Sequence, residues 1–285
     1  VLVSTPIGNL KDFSSRGCDA LMNVDAILCE DTRTSARLLA ANGIKARMIP
    51  LHDHNEEASI ERLIAAMQSG ARYALISDAG TPLVSDPGYR LVRAAIAAGL
   101  EIGAVPGPSA AVMAVTLSGL PPQPFLFIGF LPPKSGPRLT ALRRLANAEA
   151  AGLAATLVFY EAPHRLAEFL TEAAAVFGDR PAAVCRELTK HFEEIFRAPL
   201  TMLAAHYATH EARGEITVVI GPATAEPVSA VTLDESLGAA LDRMSLKDAV
   251  DAVTAATGLP RRQVYARALT LGQEQDAIVK EKAAK

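Results

Sequence analysis

Short apolar runs recur along the chain, each emptying into a turn rich in Gly, Pro or carboxylates and each followed by a stretch of helical period. In the first half these runs predict strands at residues 1–5, 26–29, 47–51, 73–77 and 101–105. Helices are predicted between them at 15–23, from Thr32 or Thr34 to a stop at Asn42-Gly43, at 57–69, from near Ser85-Asp86-Pro87-Gly88 to Gly99, and at 109–118. Strand and helix alternate throughout. That alternation implies an α/β fold with a mostly parallel sheet and helices on both faces.

The stretch Leu120-Pro121-Pro122-Gln123-Pro124 interrupts this rhythm and predicts a linker. Beyond it, strands are expected at 125–130, 155–160, 183–187, 194–197 and 216–220, with helices at 164–177 and 200–210 and another carrying Arg143 and Arg144. Residues 131–138 predict a stiff basic loop. A second linker is expected from Pro222 to Val231, and residues 233–271 are helical in pattern throughout. Ser245 is placed to cap a helix at 246–257, Gly258 to end it, and Pro260 to open the next, which carries Arg261, Arg262 and Arg267. That is a helix-turn-helix outline. The expected organisation is an α/β domain at 1–120, a second at 121–222, and a helical C-terminal unit at 233–285.

Composition narrows the class. Half the residues are apolar and few are aromatic, as in a large α/β core. The net charge of -3 means that nucleic-acid binding would need a local basic patch. Cys18, Cys29 and Cys185 are far apart and lack metal-ligand spacing, which implies free thiols, no metal, and a cytoplasmic setting. No apolar run is long enough to span a membrane. The chain opens at Val1 already inside a strand-like run, which predicts native residues ahead of it.

Candidate chemistry concentrates between Tyr73 and Pro108. Two successive buried strands end there in Asp78-Ala79-Gly80-Thr81-Pro82 and Pro106-Gly107-Pro108. In open α/β sheets, ligands bind outside the carboxyl ends of the strands. Gly80 and Gly107 would let a ligand approach the backbone. A dinucleotide G-x-G-x-x-G, a Walker A lysine and a G-x-S-x-G elbow are all missing from the sequence. Strand-end loops with Gly/Pro backbones and carboxylates suit a zwitterionic, nucleoside-like ligand.

Long motifs then become recognisable. Ser4-Thr5-Pro6-Ile7-Gly8-Asn9-Leu10, Glu30-Asp31-Thr32-Arg33, Leu51-His52-Asp53-His54-Asn55-Glu56 and Ser77-Asp78-Ala79-Gly80-Thr81-Pro82 closely resemble the ribosomal-RNA-modifying branch of the tetrapyrrole methylase superfamily. Gly129-Phe130-Leu131-Pro132-Pro133-Lys134, Phe159-Tyr160-Glu161-Ala162-Pro163-His164-Arg165 and Arg186-Glu187-Leu188-Thr189-Lys190 extend the resemblance, which covers nearly all of residues 1–221. It implies two α/β domains with the cofactor in the cleft between them, usually in a homodimer. It also implies S-adenosylmethionine-dependent methylation of a cytidine ribose 2′-hydroxyl in the decoding region of 16S rRNA.

By position, the resemblance assigns the cofactor to Asp78, Ala79, Gly80, Asp86, Ser109, Ala110, Tyr160, Leu188, Gly214 and Glu215. Pro6 and Gly8 stand where relatives acting on tetrapyrroles are richer in glycine. A ribose hydroxyl needs in-line alignment and a proton acceptor. Glu30, Asp31, His54, Glu56 and Lys134 are the catalytic candidates, with His52 and Asp53 beside them. Arg33, His52, Asn55, Arg138, Arg261 and Arg262 are the candidates for RNA. Lys134 also fits a phosphate clamp, Arg33 a partner for Glu30 or Asp31, and His164-Arg165 either a helix cap or an RNA contact. His206 and His210 lie one helical turn apart and fit a solvated helix face. The rival readings are a methyltransferase for a tetrapyrrole or other small molecule, and an RNA-binding assembly factor whose cofactor site is vestigial.

Overall fold

The computed structural model describes residues 1–223, 230–257 and 259–283. Val1–Ala223 form one compact unit and Thr224–Lys285 a second. The first unit opens with β1 (Leu2–Val3), α1 (Ser15–Met22), β2 (Ala26–Cys29), α2 (Thr32–Ala41), β3 (Met48–Pro50), α3 (Glu56–Gln68), β4 (Tyr73–Ile76), α4 (Tyr89–Ala97), β5 (Ala104–Val105) and α5 (Ala110–Ser118). The five strands form one parallel sheet in the order β3-β2-β4-β1-β5.

Side chains alternate across each strand, so neighbouring apolar residues serve opposite faces. Ile27 and Cys29 join Val3, Ala74 and Ile76 in a core with Leu21 of α1 and Leu39 of α2. Leu28 and Leu75, between them, face Leu63 of α3 and Leu91 of α4. Helices therefore cover both faces, as the pattern predicts. The strands are shorter than expected at both ends of the series: residues 1–5 yield only β1, and residues 101–105 only β5. Asp31, rather than Thr32 or Thr34, caps α2, its carboxylate accepting from the Arg33 N–H at 2.8 Å.

The rest of the first unit comprises β6 (Phe125–Phe130), α6 (Ser135–Ala150), β7 (Thr156–Glu161), α7 (Leu166–Phe177), β8 (Pro181–Arg186), β9 (Glu194–Pro199), α8 (Leu200–Thr209) and β10 (Ile216–Ile220). These strands form a second sheet, β6-β7-β10-β8-β9, parallel only between β6 and β7. One face, with Leu157, Phe159, Val184 and Val218, packs on α6, α7 and α8. The other, with Val158, Ala183, Cys185 and Val219, packs on Ala111, Ala114 and Val115 of α5. Thus α5 follows the first sheet in sequence but is built into the core of the second.

The expected basic loop at 131–138 is corrected. Its last four residues, Ser135 to Arg138, open α6, with Lys134 as N-cap. Pro137 is tolerated there because first-turn N–H groups have no intrahelical acceptor. Helix formation turns the Arg138 side chain inward, where it is 0% exposed and paired with Glu168 and Glu172.

The second unit contains α9 (Ala230–Leu241), α10 (Leu246–Thr257) and α11 (Arg261–Ala283). Leu233, Leu237, Val250, Val253, Val264 and Ala268 make its core. Ser245 caps α10 as expected, its hydroxyl accepting from Asp248 N–H at 3.3 Å. Pro260 immediately precedes α11. Gly258, the expected helix stop, lies outside the described residues, as does 224–229 of the expected linker, while Ala230 and Val231 already belong to α9. No helix is long and apolar enough to cross a membrane among the described residues.

Candidate functional site

The loops that leave β1, β4 and β5 are stitched together by short polar contacts. Thr5 bridges to Gly80, its N–H donating to Gly80 O at 2.8 Å and its O accepting from Gly80 N–H at 3.2 Å. The Ser77 hydroxyl donates to Gly80 O at 3.0 Å, and the Thr81 hydroxyl donates to Pro108 O at 3.3 Å. Gly80 sits at φ +83°, a left-handed backbone that glycine adopts without steric cost. Across from these loops stand the end of β7 and the connections around β8 and β10.

Between them lies a cavity of about 370 Å³, within the roughly 300–1,000 Å³ of small-molecule sites. All ten residues singled out for a cofactor line it: Asp78, Ala79, Gly80, Asp86, Ser109, Ala110, Tyr160, Leu188, Gly214 and Glu215. The fold thus brings together residues up to 137 positions apart in sequence, from Asp78 to Glu215. Sequence reading missed the apolar part of the wall, contributed by Ile7, Val84 and Phe130 among others. Ile7 had a signal, since it sits in the exit loop of the first strand. Pro6 and Gly8, its neighbours, do not line the cavity. A Cβ on Gly8 would come within 2.8 Å of the Thr189 hydroxyl and 2.9 Å of Leu188 O, so this glycine seats the first loop against the Leu188 loop.

Backbone strain gathers here. Leu83, Ser85, Glu187 and Thr189 are non-glycine residues with φ between +52° and +72°. Ser85 lines the cavity, and Glu187 and Thr189 flank the lining residue Leu188. Such conformations cost about 1–3 kcal/mol each and persist where the surroundings hold them.

The electrostatics are one-sided. No lysine or arginine is among the described residues that line the cavity, whereas Asp78, Asp86, Glu161 and Glu215 are. Burial, followed by the charges of Glu30, Asp78 and Asp53, pushes the Asp86 carboxyl up to about 7. Burial and then Asp31 push Asp78 up, partly offset by the hydrogen bond from Asp31 N–H at 3.2 Å. Such a cavity disfavours a free phosphate and favours a ligand carrying positive charge. The ring of Tyr160 meets Phe127 edge-on at 4.9 Å and Phe130 at 5.6 Å, adding an aromatic wall.

The five catalytic candidates fall outside the lining. Glu30 is exposed outside the lining, and the partial burial of its carboxyl, followed by the charges of Asp78 and Asp53, pushes it up. Asp31 caps α2 and pairs with Arg33 at 2.8 Å, and those Arg33 contacts hold its carboxyl down to about 2. His54 and Lys134 are exposed. The catalytic expectation for Glu56 is corrected: it is 3% exposed, and its Oε1 accepts from Leu91 N–H at 2.9 Å, tying α3 to the first turn of α4.

Among the RNA candidates, Arg33 is exposed beside Asp31. His52 is half-buried with a buried Nδ1 that has no partner. The Asn55 amide closes its own turn, accepting from His52 N–H at 2.8 Å and donating to Pro50 O at 3.1 Å. Arg138 is corrected, because a guanidinium with no exposed surface cannot reach RNA. Arg165 grips the buried Glu161 carboxylate at 2.6 Å, and His164 is exposed. In the second unit Arg261 pairs with Asp251 at 2.7 Å, Arg267 pairs with Asp234, and Arg262 is exposed. His206 and His210 stack at 4.2 Å, and no metal-binding group of three ligands exists among the described residues.

Comparison with known proteins agrees with this geometry. Residues 1–204 match the family model of Tetrapyrrole (Corrin/Porphyrin) Methylases, and residues 227–272 match that of the RsmI C-terminal HTH domain. Ribosomal RNA small subunit methyltransferase I of Mesorhizobium japonicum is 47% identical over 95% of this chain and 91% of its own length. The protein of the same name from Xylella fastidiosa strain Temecula1 is 43% identical over 93% and 96%. Among solved structures, a diphthine synthase superposes with a TM-score of 0.57 at 17% identity, covering 78% of this chain and 90% of its own. A uroporphyrin-III-C-methyltransferase from Thermus thermophilus gives 0.53 at 21% identity, covering 76% and 91%. With two helix-covered sheets, a cavity lined from the loops at their strand ends, and these matches along nearly its full length, the chain belongs to the tetrapyrrole methylase family, alongside the ribosomal RNA small subunit methyltransferase I proteins.

Proposed function

We propose that this protein transfers a methyl group from S-adenosylmethionine to the ribose 2′-hydroxyl of a cytidine in the decoding region of 16S rRNA. The observation that carries the cofactor part is the cavity itself: carboxylates and aromatic rings on its wall, and no lysine or arginine among the described residues that line it. S-adenosylmethionine presents a sulfonium, an ammonium and a flat purine, so it offers two positive centres and a stacking face. Asp78, Asp86 and Glu215 suit the positive centres and ribose hydroxyls, and Tyr160 and Leu188 the flat surfaces. Ser109 and Ala110 bring the first turn of α5 to the wall, where N–H groups without intrahelical partners suit a carboxylate. The RNA part rests on the relatives' shared name and on the matched helix-turn-helix unit. Exposed Arg33 and His54 at the rim suit the approaching RNA. The protein acts in the cytoplasm as a homodimer.

The test is transfer of labelled methyl groups from S-adenosylmethionine to isolated small ribosomal subunits, followed by nucleoside mapping. The expected product is 2′-O-methylcytidine. Label on a base carbon or nitrogen would refute the ribose assignment. Calorimetry showing no S-adenosylmethionine binding would support the assembly-factor reading instead.

The second unit is assigned to holding RNA without doing chemistry. Arg261 and Arg267 are already paired with Asp251 and Asp234, which leaves Arg262 and Lys247 as exposed contacts. Deleting everything after Pro222 should leave S-adenosylmethionine binding intact and weaken RNA binding. It should also flatten the logarithmic dependence of RNA affinity on salt by about one per lost phosphate contact. An unchanged salt slope with a shift from dimer to monomer would make the unit a dimerisation element.

A further inference from the structure

The titratable side chains on the cavity wall differ in whether they already have a partner. Asp78 accepts a hydrogen bond from Asp31 N–H. The Tyr160 phenol is raised by burial. Glu161 holds Arg165 and the Ala162 N–H. Burial pushes the Cys185 thiol up to about 11, out of reach of a neutral-pH proton acceptor. Glu215 pairs with Lys190 at 3.1 Å. Among the carboxyls on the wall, Asp86 alone has neither a hydrogen bond nor an ion pair within the described residues.

Its position is also fixed in advance. Ser85 before it is held at φ +67°, Pro87 follows it, and Gly88 sits at φ +114°. A Cβ on Gly129 would lie only 3.1 Å from the Ser85 hydroxyl, so β6 presses on this turn. Asp86 interacts with the charges of Glu30 after β2 and Asp53 after β3, which are outside the lining, and of Asp78 after β4, which is within it. Asp86 thus lies on the cavity wall within electrostatic reach of strand-end carboxylates that lie outside the lining.

We propose that Asp86 is the catalytic residue that accepts the proton of the acceptor hydroxyl. The inference rests on the methyl-transfer reading above and goes beyond it by assigning the step. The hydroxyl O–H bond breaks and its proton passes to an Asp86 carboxylate oxygen. The oxygen's electron pair forms the new bond to the methyl carbon. The carbon–sulfur bond breaks with its pair moving to sulfur, leaving a neutral thioether. No oxidant, reductant or metal is needed. The charged and titratable groups facing Asp86 are Glu30, Asp53 and Asp78, with the Tyr160 phenol from β7. Burial, and after it the three carboxylates, raises its proton affinity, as a general base at neutral pH requires. A bound sulfonium opposes that rise and favours the ionised form.

The experiment is the single-turnover rate of methyl transfer to small ribosomal subunits across pH, with both substrates saturating, for wild type, Asp86→Asn and Asp86→Glu. Wild type should lose rate on acidification along a one-proton limb. Asp86→Asn should be slower by about 10²–10³-fold and lack the limb, while Asp86→Glu regains part of both. Asp86→Asn should also melt higher than wild type at pH 8 without ligand. The folded-state carboxyl is raised above its unfolded value, so its contribution to stability is present at low pH and lost as pH rises through about 7. A lower melting temperature with loss of cofactor binding would make Asp86 a structural residue. An Asp86→Asn rate within a few-fold of wild type, or a retained limb, would overturn the proposal while leaving the methyl-transfer reading intact. A wild-type protein that transfers no methyl group would overturn both.

Discussion

Gly80→Val should abolish S-adenosylmethionine binding, lowering affinity by about 100-fold or more, which is about 2.7 kcal/mol. Two effects add. Valine is β-branched, and φ +83° is a conformation such residues avoid. The new Cβ would also start only 3.3 Å from the Ile7 side chain and 3.7 Å from Pro108 O, with two further methyl carbons beyond it. Relief requires the Asp78–Thr81 loop to pull away from Thr5 and Pro108, and those are the contacts that shape the wall. The loop is local, and about 1–3 kcal/mol of strain is smaller than the stability of a typical domain, so the fold should survive. Titration calorimetry on a variant shown by circular dichroism to be folded is the measurement. Gly80→Ala should fall between the two. Near-normal affinity in the valine variant would mean that the cofactor lies elsewhere.

Arg138→Ala should destabilise the protein by about 3–5 kcal/mol, because it removes the buried cation of an ion-pair network and leaves the largely enclosed Glu172 carboxylate without its partner. Arg138 donates through Nε to Glu172 at 2.6 Å and through a terminal nitrogen to Glu172 at 3.1 Å. It also donates to Pro133 O at 3.1 Å and pairs with Glu168 at 2.8 Å. Burial alone would raise the Glu172 carboxyl, but the hydrogen bonds from Arg138 and Ser135 outweigh it and hold the carboxyl below its ordinary value. That contribution is present above the unfolded-state value and is lost as pH falls through the folded one. Denaturant unfolding should therefore show a large loss for Arg138→Ala at pH 7 and a smaller one in acid. RNA affinity per folded molecule should be unchanged. Unaltered stability with weakened RNA binding would return Arg138 to the RNA surface.

What the sequence revealed, and what it hid, follows from the physics of each position. The residues now on the cavity wall were legible because strand ends with Gly and Pro can serve few purposes, and because the motifs around Asp78, Tyr160 and Leu188 are long. The alternation of Ile27, Leu28 and Cys29 between two faces was likewise readable as a strand covered on both sides. Arg138 and Glu56 misled because both sit in polar stretches, where composition suggests solvent. Their fate depends on where a helix begins: Ser135 starting α6 turns Arg138 toward α7, and Glu56 at the start of α3 faces the first turn of α4. The placement of α5 left no trace, since Ala110 to Ser118 is apolar nearly all round and fits either sheet. The antiparallel pairings of β10 were hidden too, as strand periodicity does not encode direction.

The absence of lysine and arginine from the described cavity wall bears on turnover as well as capture. Under the proposed reaction the ligand enters with a sulfonium and leaves with an uncharged sulfur, while the wall's carboxylates stay where they are. Chemistry therefore removes one of the attractions that held the ligand in place. The same step places a proton on Asp86, so cofactor and wall each lose one charge together, and the wall's preference for a sulfonium over a neutral thioether returns when that proton leaves.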